Sequence, residues 1–225
     1  MRRKIINLLF FIVLLTPIAC ALAEENQDVV VGELMKVGEY YLQNKHYDIS
    51  IRFFRKLLNN YPATRFSPKI LMNVGDAYRA TGKYDEALNY WEEVIGKYPQ
   101  SEEAPLALQS EINTLIFLRK YKEAIGKIDE FFSRYPQNEN APQILFKKGQ
   151  CYEGMGNLKK ALEEYKSFIK QFPRHPLADK AFQKVEQIAV TIATTPSPEE
   201  RTLRELSELL DLLNTLIYVK CYLLN

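Results

Sequence analysis

The sequence predicts an all-α solenoid in which one helix hairpin recurs along the chain. Three observations lead to this prediction. An aromatic–proline pair returns every 37 residues, at Tyr61-Pro62, Tyr98-Pro99, Tyr135-Pro136 and Phe172-Pro173. Other columns of similar residues keep the same spacing, which is the signature of a repeat architecture. Within each repeat, small and apolar residues follow one another at i, i+4 and i+7, which is the period of one face of an α-helix.

The columns divide each repeat into two helices. The first helix carries a leucine column, a glycine column and a tyrosine column: Leu34, Leu71, Leu108, Leu145; Gly38, Gly75, Ile112, Gly149; Tyr41, Tyr78, Leu115, Tyr152. The second helix carries a small-residue column and an aromatic or apolar column: Ser50, Ala87, Ala124, Ala161; Phe54, Trp91, Ile128, Tyr165. We expect the small residues to let the paired helices approach closely. The pattern predicts four repeats, at about 33–66, 67–103, 104–140 and 141–175.

Turn and capping residues fit these boundaries. Gly82 can adopt the positive φ that a tight turn between two helices needs. Asp85 is a candidate N-cap for the second helix of its repeat. The prolines of the aromatic–proline pairs end each hairpin, because proline cannot continue a helix. A second set of prolines suits the first turn of the next helix: Pro68, Pro105 and Pro142.

After Pro173 the repeat becomes incomplete. Residues 176–194 predict a fifth first helix, with Phe182 in the leucine column. Ser197, Pro198 and Glu200 form a capping box that opens a last helix within 195–225. We interpret this helix as a cap on the last repeat. A surface for a partner or for self-association is the alternative, because the helix becomes apolar nearly all round beyond Thr215.

The N-terminus predicts export. Arg2, Arg3 and Lys4 precede an apolar stretch, and Ala21-Leu22-Ala23 forms a cleavage signature, so residues 1–23 are predicted to be a signal peptide and 24–32 a short linker. The predicted location is the periplasm. Ala19-Cys20 resembles the end of a bacterial lipobox, although Pro17 stands where leucine is usual. In that alternative, Cys20 carries lipid and the protein is an outer-membrane lipoprotein held at the membrane.

Removing this segment changes the charge and the cysteine count. It leaves 27 of the 30 Lys and Arg against 28 Asp and Glu, so the sequence does not predict a nucleic-acid partner. Cys151 and Cys221 then remain. They could pair in an oxidising compartment, or they could be buried free thiols that pack as small hydrophobes.

The columns resemble those of the tetratricopeptide repeat, with Leu71, Gly75, Tyr78, Ala87, Trp91 and Pro99 at matching positions. Repeat three departs from the pattern at Ile112 and Leu115. The resemblance implies a right-handed α-α solenoid of about four hairpins, with a fifth half-repeat and a C-terminal capping helix. The period of 37 and the segments YPQS and YPQN resemble a subset from the bacterial envelope. That subset includes the lipoprotein of the outer-membrane β-barrel assembly machinery and the Tol–Pal-associated coordinator of cell division.

The resemblance also implies a site for a protein or peptide partner. In tetratricopeptide proteins a concave groove is lined by a stripe one residue round from the core leucine. The matching residues here are Met35, Glu39, Leu42, Met72, Asp76, Arg79, Gln109, Asn113, Ile116, Phe146, Gln150 and Glu153. Met35 and Glu39 occupy positions where a carboxylate clamp for chaperone C-termini would carry Lys and Asn, and only Asn73 fits it. The sequence does not predict that clamp.

The sequence predicts no catalytic or metal site and no cofactor. It lacks a phosphate-binding Gly-x-x-x-x-Gly-Lys-Ser/Thr motif, and His46 and His175 have no His or Cys at metal-ligand spacing. We therefore expect a non-enzymatic scaffold of the bacterial cell envelope, acting in outer-membrane assembly or envelope constriction. An adaptor that positions a peptidoglycan-active enzyme is the alternative.

Overall fold

Every regular element among the described residues is an α-helix. The computed structural model describes residues 27–194 and 210–217. The helices are α1 (27–43), α2 (Tyr47–Asn60), α3 (Ser67–Ala80), α4 (Tyr84–Lys97), α5 (Glu103–Phe117), α6 (Tyr121–Arg134), α7 (Ala141–Gly154), α8 (Leu158–Gln171), α9 (Ala178–Thr194) and α10 (210–217). The all-α prediction is confirmed. The predictions for the signal peptide, Cys20, the capping box at Ser197 and Cys221 lie outside the described residues.

The chain divides into two compact units, Met1–Thr114 and Leu115–Asn225. In the first unit α2 packs on α3 and α3 packs on α4. In the second unit α6, α7, α8 and α9 pack on one another in sequence. Each unit is therefore a row of helix hairpins, as the repeat predicted.

Each hairpin turn has one residue with positive φ, and these four residues are also 37 apart. Gly82 (φ 77°) and Gly156 (φ 73°) adopt this conformation at no steric cost, because glycine has no Cβ. Lys45 (φ 62°) and Arg119 (φ 57°) adopt the same conformation although they carry a side chain. The next residue donates its N–H back across the end of the first helix, as Lys83 does to the Tyr78 carbonyl at 3.0 Å. This is the Schellman arrangement, and it satisfies carbonyls that the helix end leaves open.

The boundaries confirm most of the capping predictions. Tyr61, Tyr98, Tyr135 and Phe172 are the C-cap residues of the four second helices, and each has the extended φ that a following proline favours. Asp85 is not an N-cap, because α4 already begins at Tyr84 and Lys83 occupies the cap position. Asp85 lies instead in the first turn, where a carboxylate favours the positive end of the helix dipole.

Close helix approach is confirmed at the glycine column. A Cβ at Gly75 would lie 2.5 Å from Trp91 Nε1, and one at Gly149 would lie 2.6 Å from Tyr165 Cε1. The ring of Phe54 faces Gly38 in the same way. The three rings are fully buried because glycine leaves room for them. In repeat three both columns hold isoleucine, and Ile112 and Ile128 are also fully buried.

Helix α10 covers part of the last hairpin. Leu212 and Leu216 belong to the same buried cluster as Phe168 and Val185. Over residues 210–217 this arrangement agrees with the interpretation of the last helix as a cap. The opposite side of α10 leaves Leu210, Leu213 and Ile217 exposed. Within the described residues, no helix has both the length and the apolar character needed to cross a membrane.

Candidate protein-interaction surface

In the first unit, the predicted stripe forms a polar surface on the first helices. The Glu39 side chain of α1 accepts a hydrogen bond from Asn73 Nδ2 of α3 at 3.4 Å. On α3, Arg79 Nε lies 4.0 Å from Asp76 Oδ1. Burial raises the pKa of Asp76, and the charges of Arg79 and Lys69 oppose that rise. Arg79 remains about half exposed and is open to a ligand.

The other predicted residues near this unit differ in access. Met35 is partly buried, while Met72 is 9% exposed and counts with the core. On α5, Asn113 is exposed, and Gln109 and Ile116 are partly buried. The polar members are therefore the more accessible ones, and Met72 offers little surface to a partner.

In the second unit, Phe146 is a core residue. Its side chain is 3% exposed, and its ring lies 5.2 Å from Tyr165 and 5.7 Å from Phe168 between ring centroids. Lys180 Nζ of α9 lies 5.6 Å from the same ring centroid. The expectation that Phe146 is an open apolar contact therefore does not hold, because α8 and α9 enclose it. Gln150, on the next turn of α7, is only partly buried.

Glu153 links three helices of the second unit. Tyr165 of α8 donates its hydroxyl to Glu153 Oε2 at 2.9 Å, and Lys184 of α9 donates to Glu153 Oε1 at 2.7 Å. Burial raises the pKa of Tyr165 far above its usual value, and the Glu153 charge adds to the rise. The phenol stays neutral and remains a donor. Glu153 therefore stabilises the hairpin in addition to contributing to the predicted stripe.

The sequence analysis missed a second polar column, one position further round the first helices. Asn73, Lys147 and Lys184 belong to this column, because they are separated by two repeats and by one repeat of 37 residues. Asn73 and Lys184 each bond a carboxylate of the preceding first helix, Glu39 and Glu153 respectively. Burial lowers the pKa of Lys147, which makes no salt bridge to any described residue. The repeat spacing could have found this column, since polar residues recur in it.

No metal-binding group of three or more His, Cys, Asp or Glu side chains occurs among residues 27–194 and 210–217. His175 serves the backbone instead, because its Nδ1 accepts a hydrogen bond from the Leu177 N–H at 3.1 Å. Cys151 is fully buried, and burial raises its thiol pKa to about 11. A thiol with that pKa is a poor nucleophile at neutral pH.

Sequence profiles of known families match the repeats already described. A tetratricopeptide repeat profile matches residues 68–101, and a second profile of the same repeat matches residues 34–64 and 143–175. The chain carries tetratricopeptide repeats. No curated protein sequence matches it.

Several solved structures share the fold. The crystal structure of the MamA protein is 18% identical, with a TM-score of 0.58 over 84% of this chain and 91% of that one. MamA 41-end from Desulfovibrio magneticus RS-1 is 14% identical, with a TM-score of 0.56 over 85% and 96%. A third structure shows TPR-like repeats of a putative kinesin light chain from Podosopora anserina. Its sequence is 12% identical to this chain, with a TM-score of 0.56 over 83% of this chain and 94% of that one. These likenesses show that the chain has the α-α solenoid fold.

Proposed function

We propose that this protein is a non-enzymatic scaffold of the bacterial cell envelope that binds a peptide or a partner protein along its first helices. The observation that carries the proposal is the accessible polar stripe of the first unit, above all Arg79 and Asn113. These two side chains are exposed on successive first helices, α3 and α5, and are not enclosed in the core. Exposed charged and amide groups on successive rigid helices suit recognition of an extended backbone or a helix face.

The two units offer different ligand chemistry. In the first, the carboxylates of Glu39 on α1 and Asp76 on α3 are both partly accessible, which suits a basic side chain and backbone donors. In the second, Lys147, Lys180 and the amide of Gln150 suit an acidic side chain. Charge complementarity of this kind favours specificity and fast association.

A photo-crosslinking experiment tests the surface. A photoreactive amino acid at position 79 or 113 should capture a partner from envelope extracts, and one at Asn89 on α4 should not. The same captured protein at all three positions would contradict the proposal. Once the partner is identified, the triple variant Arg79→Ala, Asn113→Ala, Gln150→Ala should bind it at least about thirtyfold more weakly, as loss of hot-spot contacts does.

A matched variant controls for nonspecific effects. Arg174→Ala, Asn89→Ala and Gln137→Ala together remove the same residue types from exposed positions away from the first helices. This control should keep full affinity. Both variants should retain the helical circular dichroism and melting temperature of the native protein, since none of the six residues is buried in the core.

The location has its own test. Export is supported by the charged start, the apolar stretch and Ala21-Leu22-Ala23. Intact mass of the protein from cells should show an N-terminus at Glu24 with no acyl chain, which corresponds to a periplasmic protein. An acylated Cys20 would instead make it an outer-membrane lipoprotein. An uncleaved Met1 would remove the support for export and leave the binding proposal unchanged.

A role in self-association is favoured by one observation, the exposed face of α10. Leu210, Leu213 and Ile217 are 61%, 47% and 60% exposed, and together they form an apolar surface on one side of the helix. Sedimentation of Leu213→Glu, Ile217→Glu against the native protein tests this role. A native oligomer that becomes monomeric in the variant would support it, and a native monomer would exclude it.

A further inference from the structure

The repeat forms a surface pocket twice, once in each unit. The first has a volume of about 320 Å³ and the second about 410 Å³. Five of their lining residues correspond at a spacing of 111 residues, or three repeats: Arg55 and Lys166, Leu58 and Ile169, Asn59 and Lys170, Pro62 and Pro173, Leu71 and Phe182. Both pockets therefore have one wall from a second helix and a floor from the following first helix.

The remaining wall makes the two pockets chemically different. In the first pocket, helix α4 contributes Tyr90, Tyr98 and the ion pair of Lys97 Nζ with Glu93 Oε1 at 2.6 Å. In the second pocket, α10 forms this remaining wall, although it is not part of a repeat. It contributes Leu212, Leu216 and Thr215, whose hydroxyl donates to the Asp211 carbonyl of its own helix at 2.7 Å. The interior of the second pocket is therefore almost wholly apolar.

Two lysine side chains also line this pocket, and both residues are exposed to solvent. Lys166 and Lys170 lie one turn apart on α8, so their side chains are neighbours. Neither makes a salt bridge within the ranges 27–194 and 210–217, and the acidic residue that acts on Lys166 is Glu163 of the same helix. Partial burial lowers the pKa of Lys166, although the residue remains exposed. An anion beside the two lysines would favour their charged form.

We propose that the pocket between α8, α9 and α10 binds a free long-chain fatty acid, with the acyl chain against Ile169, Phe182 and Leu216 and the carboxylate between Lys166 and Lys170. An apolar cavity with a few charged groups that fix orientation is the usual form of a small-molecule site. The volume lies near the lower end of the range for such sites, roughly 300–1,000 Å³, which suits a single chain better than a two-chained phospholipid. This site shares no residue with the polar stripe of the first helices and does not depend on its function.

Binding can be measured with the full mature chain and a dansyl-labelled undecanoic acid as the fluorescent probe. We expect saturable binding that lauric acid displaces and that dodecanol displaces at least about tenfold less well, because dodecanol has no carboxylate. The double variant Lys166→Gln, Lys170→Gln should also weaken binding by about tenfold or more. Lys122→Gln, Lys159→Gln removes the same charge from exposed positions outside both pockets and should bind as the native protein does.

A second variant tests the cavity itself. Thr215→Phe places a ring at the pocket from an exposed position and should abolish binding without lowering the melting temperature. No saturable binding, or equal binding by both lysine variants, would overturn the proposal. Binding that appears only after residues 218–225 are deleted would overturn it too, because the C-terminal segment would then be the occupant. Preference for phosphatidylglycerol vesicles over the free acid would contradict the single-chain ligand.

Discussion

The α2–α4 side of the first unit and the α6–α8 side of the second unit show how one repeat supports two kinds of contact. In the first, Arg55 and Tyr90 line an open pocket. Seventy-four residues further along, the same columns hold Asp129 and Glu164. There Lys148 of α7 bridges the two carboxylates at 2.9 and 3.5 Å, whereas the matching residue in α3 is the buried Val74. Three side-chain changes therefore give an ionic link between helices where the first unit has an open pocket, and the backbone repeat is kept.

The rings at the centre of the two hairpins also differ in polar contacts, and again the second unit has the polar link. Trp91 fills its site fully buried, and its indole N–H has no acceptor among the described residues. Tyr165 occupies the equivalent site and donates to Glu153. The period thus places a large buried side chain opposite the close helix approach, while neighbouring columns decide whether its polar atom has a partner. We expect apolar packing to dominate the stability of the first hairpin and polar links to contribute more in the second.

The largest effect should come from Trp91→Ala. Removing a fully buried large ring leaves a cavity, so the free energy of unfolding should fall by about 3–5 kcal/mol. Tyr90→Ala, next to it on α4 and only partly buried, should cost clearly less. Urea denaturation followed by circular dichroism measures both. Equal losses would contradict the view that the Trp91 ring is the centre of the first hairpin.

The glycine column should give the next largest effect. Gly75→Ala and Gly149→Ala should each lower the free energy of unfolding by about 1–3 kcal/mol, because the added Cβ overlaps the facing ring. Gly126→Ala on α6 is the matched control, since open space surrounds that position and alanine favours a helix by up to about 1 kcal/mol. The double variant Gly75→Ala, Trp91→Ile should be less destabilised than the two single losses predict. Additive losses would show that the two positions are not coupled.

Tyr165→Phe should cost less than either of these changes. It removes one hydrogen bond and leaves Glu153 paired with Lys184, so we expect a loss of about 0.5–1.5 kcal/mol. Measuring the substitution again in a Glu153→Met background, which has no oxygen acceptor at this position, separates the bond from packing. The same loss in both backgrounds would mean that the Glu153 carboxylate contributes nothing to the position of the ring. Tyr40→Phe, at an exposed tyrosine of α1, should be neutral.

The smallest effect should come from Lys148→Met. Its partners are partly exposed, so loss of the ion pairs should cost no more than about 1 kcal/mol. The loss should shrink in 1 M NaCl, because salt screens exposed charges. Lys159→Met on the exposed side of α8 should show neither the loss nor the salt dependence. A loss that salt leaves unchanged would show that Lys148 acts through its apolar stem alone.

The sequence by itself predicted the helix hairpins and their order, but α1 begins at residue 27, within the predicted linker 24–32. A period of 37 with leucine, glycine, aromatic and proline columns reflects packing that each hairpin repeats with its neighbour, so it can be read without coordinates. Gly75 and Gly149 are good examples, because only close helix approach explains a recurring glycine opposite a large ring. Asp85 was misassigned because several residues near a helix start can cap it, and backbone geometry selects among them.

Only the tertiary structure decided which polar and apolar residues remain open. Phe146 lies in the same column as the partly buried Met35, yet α8 and α9 enclose it, and sequence spacing does not contain that contact. Glu153 and Lys184 are 31 residues apart, and their pairing depends on how α7 and α9 pack. The pocket beside Lys166 depends on α10, which lies outside the repeat register. Periodicity determines which face of a helix packs, whereas the partners of a side chain on that face depend on helices distant in sequence.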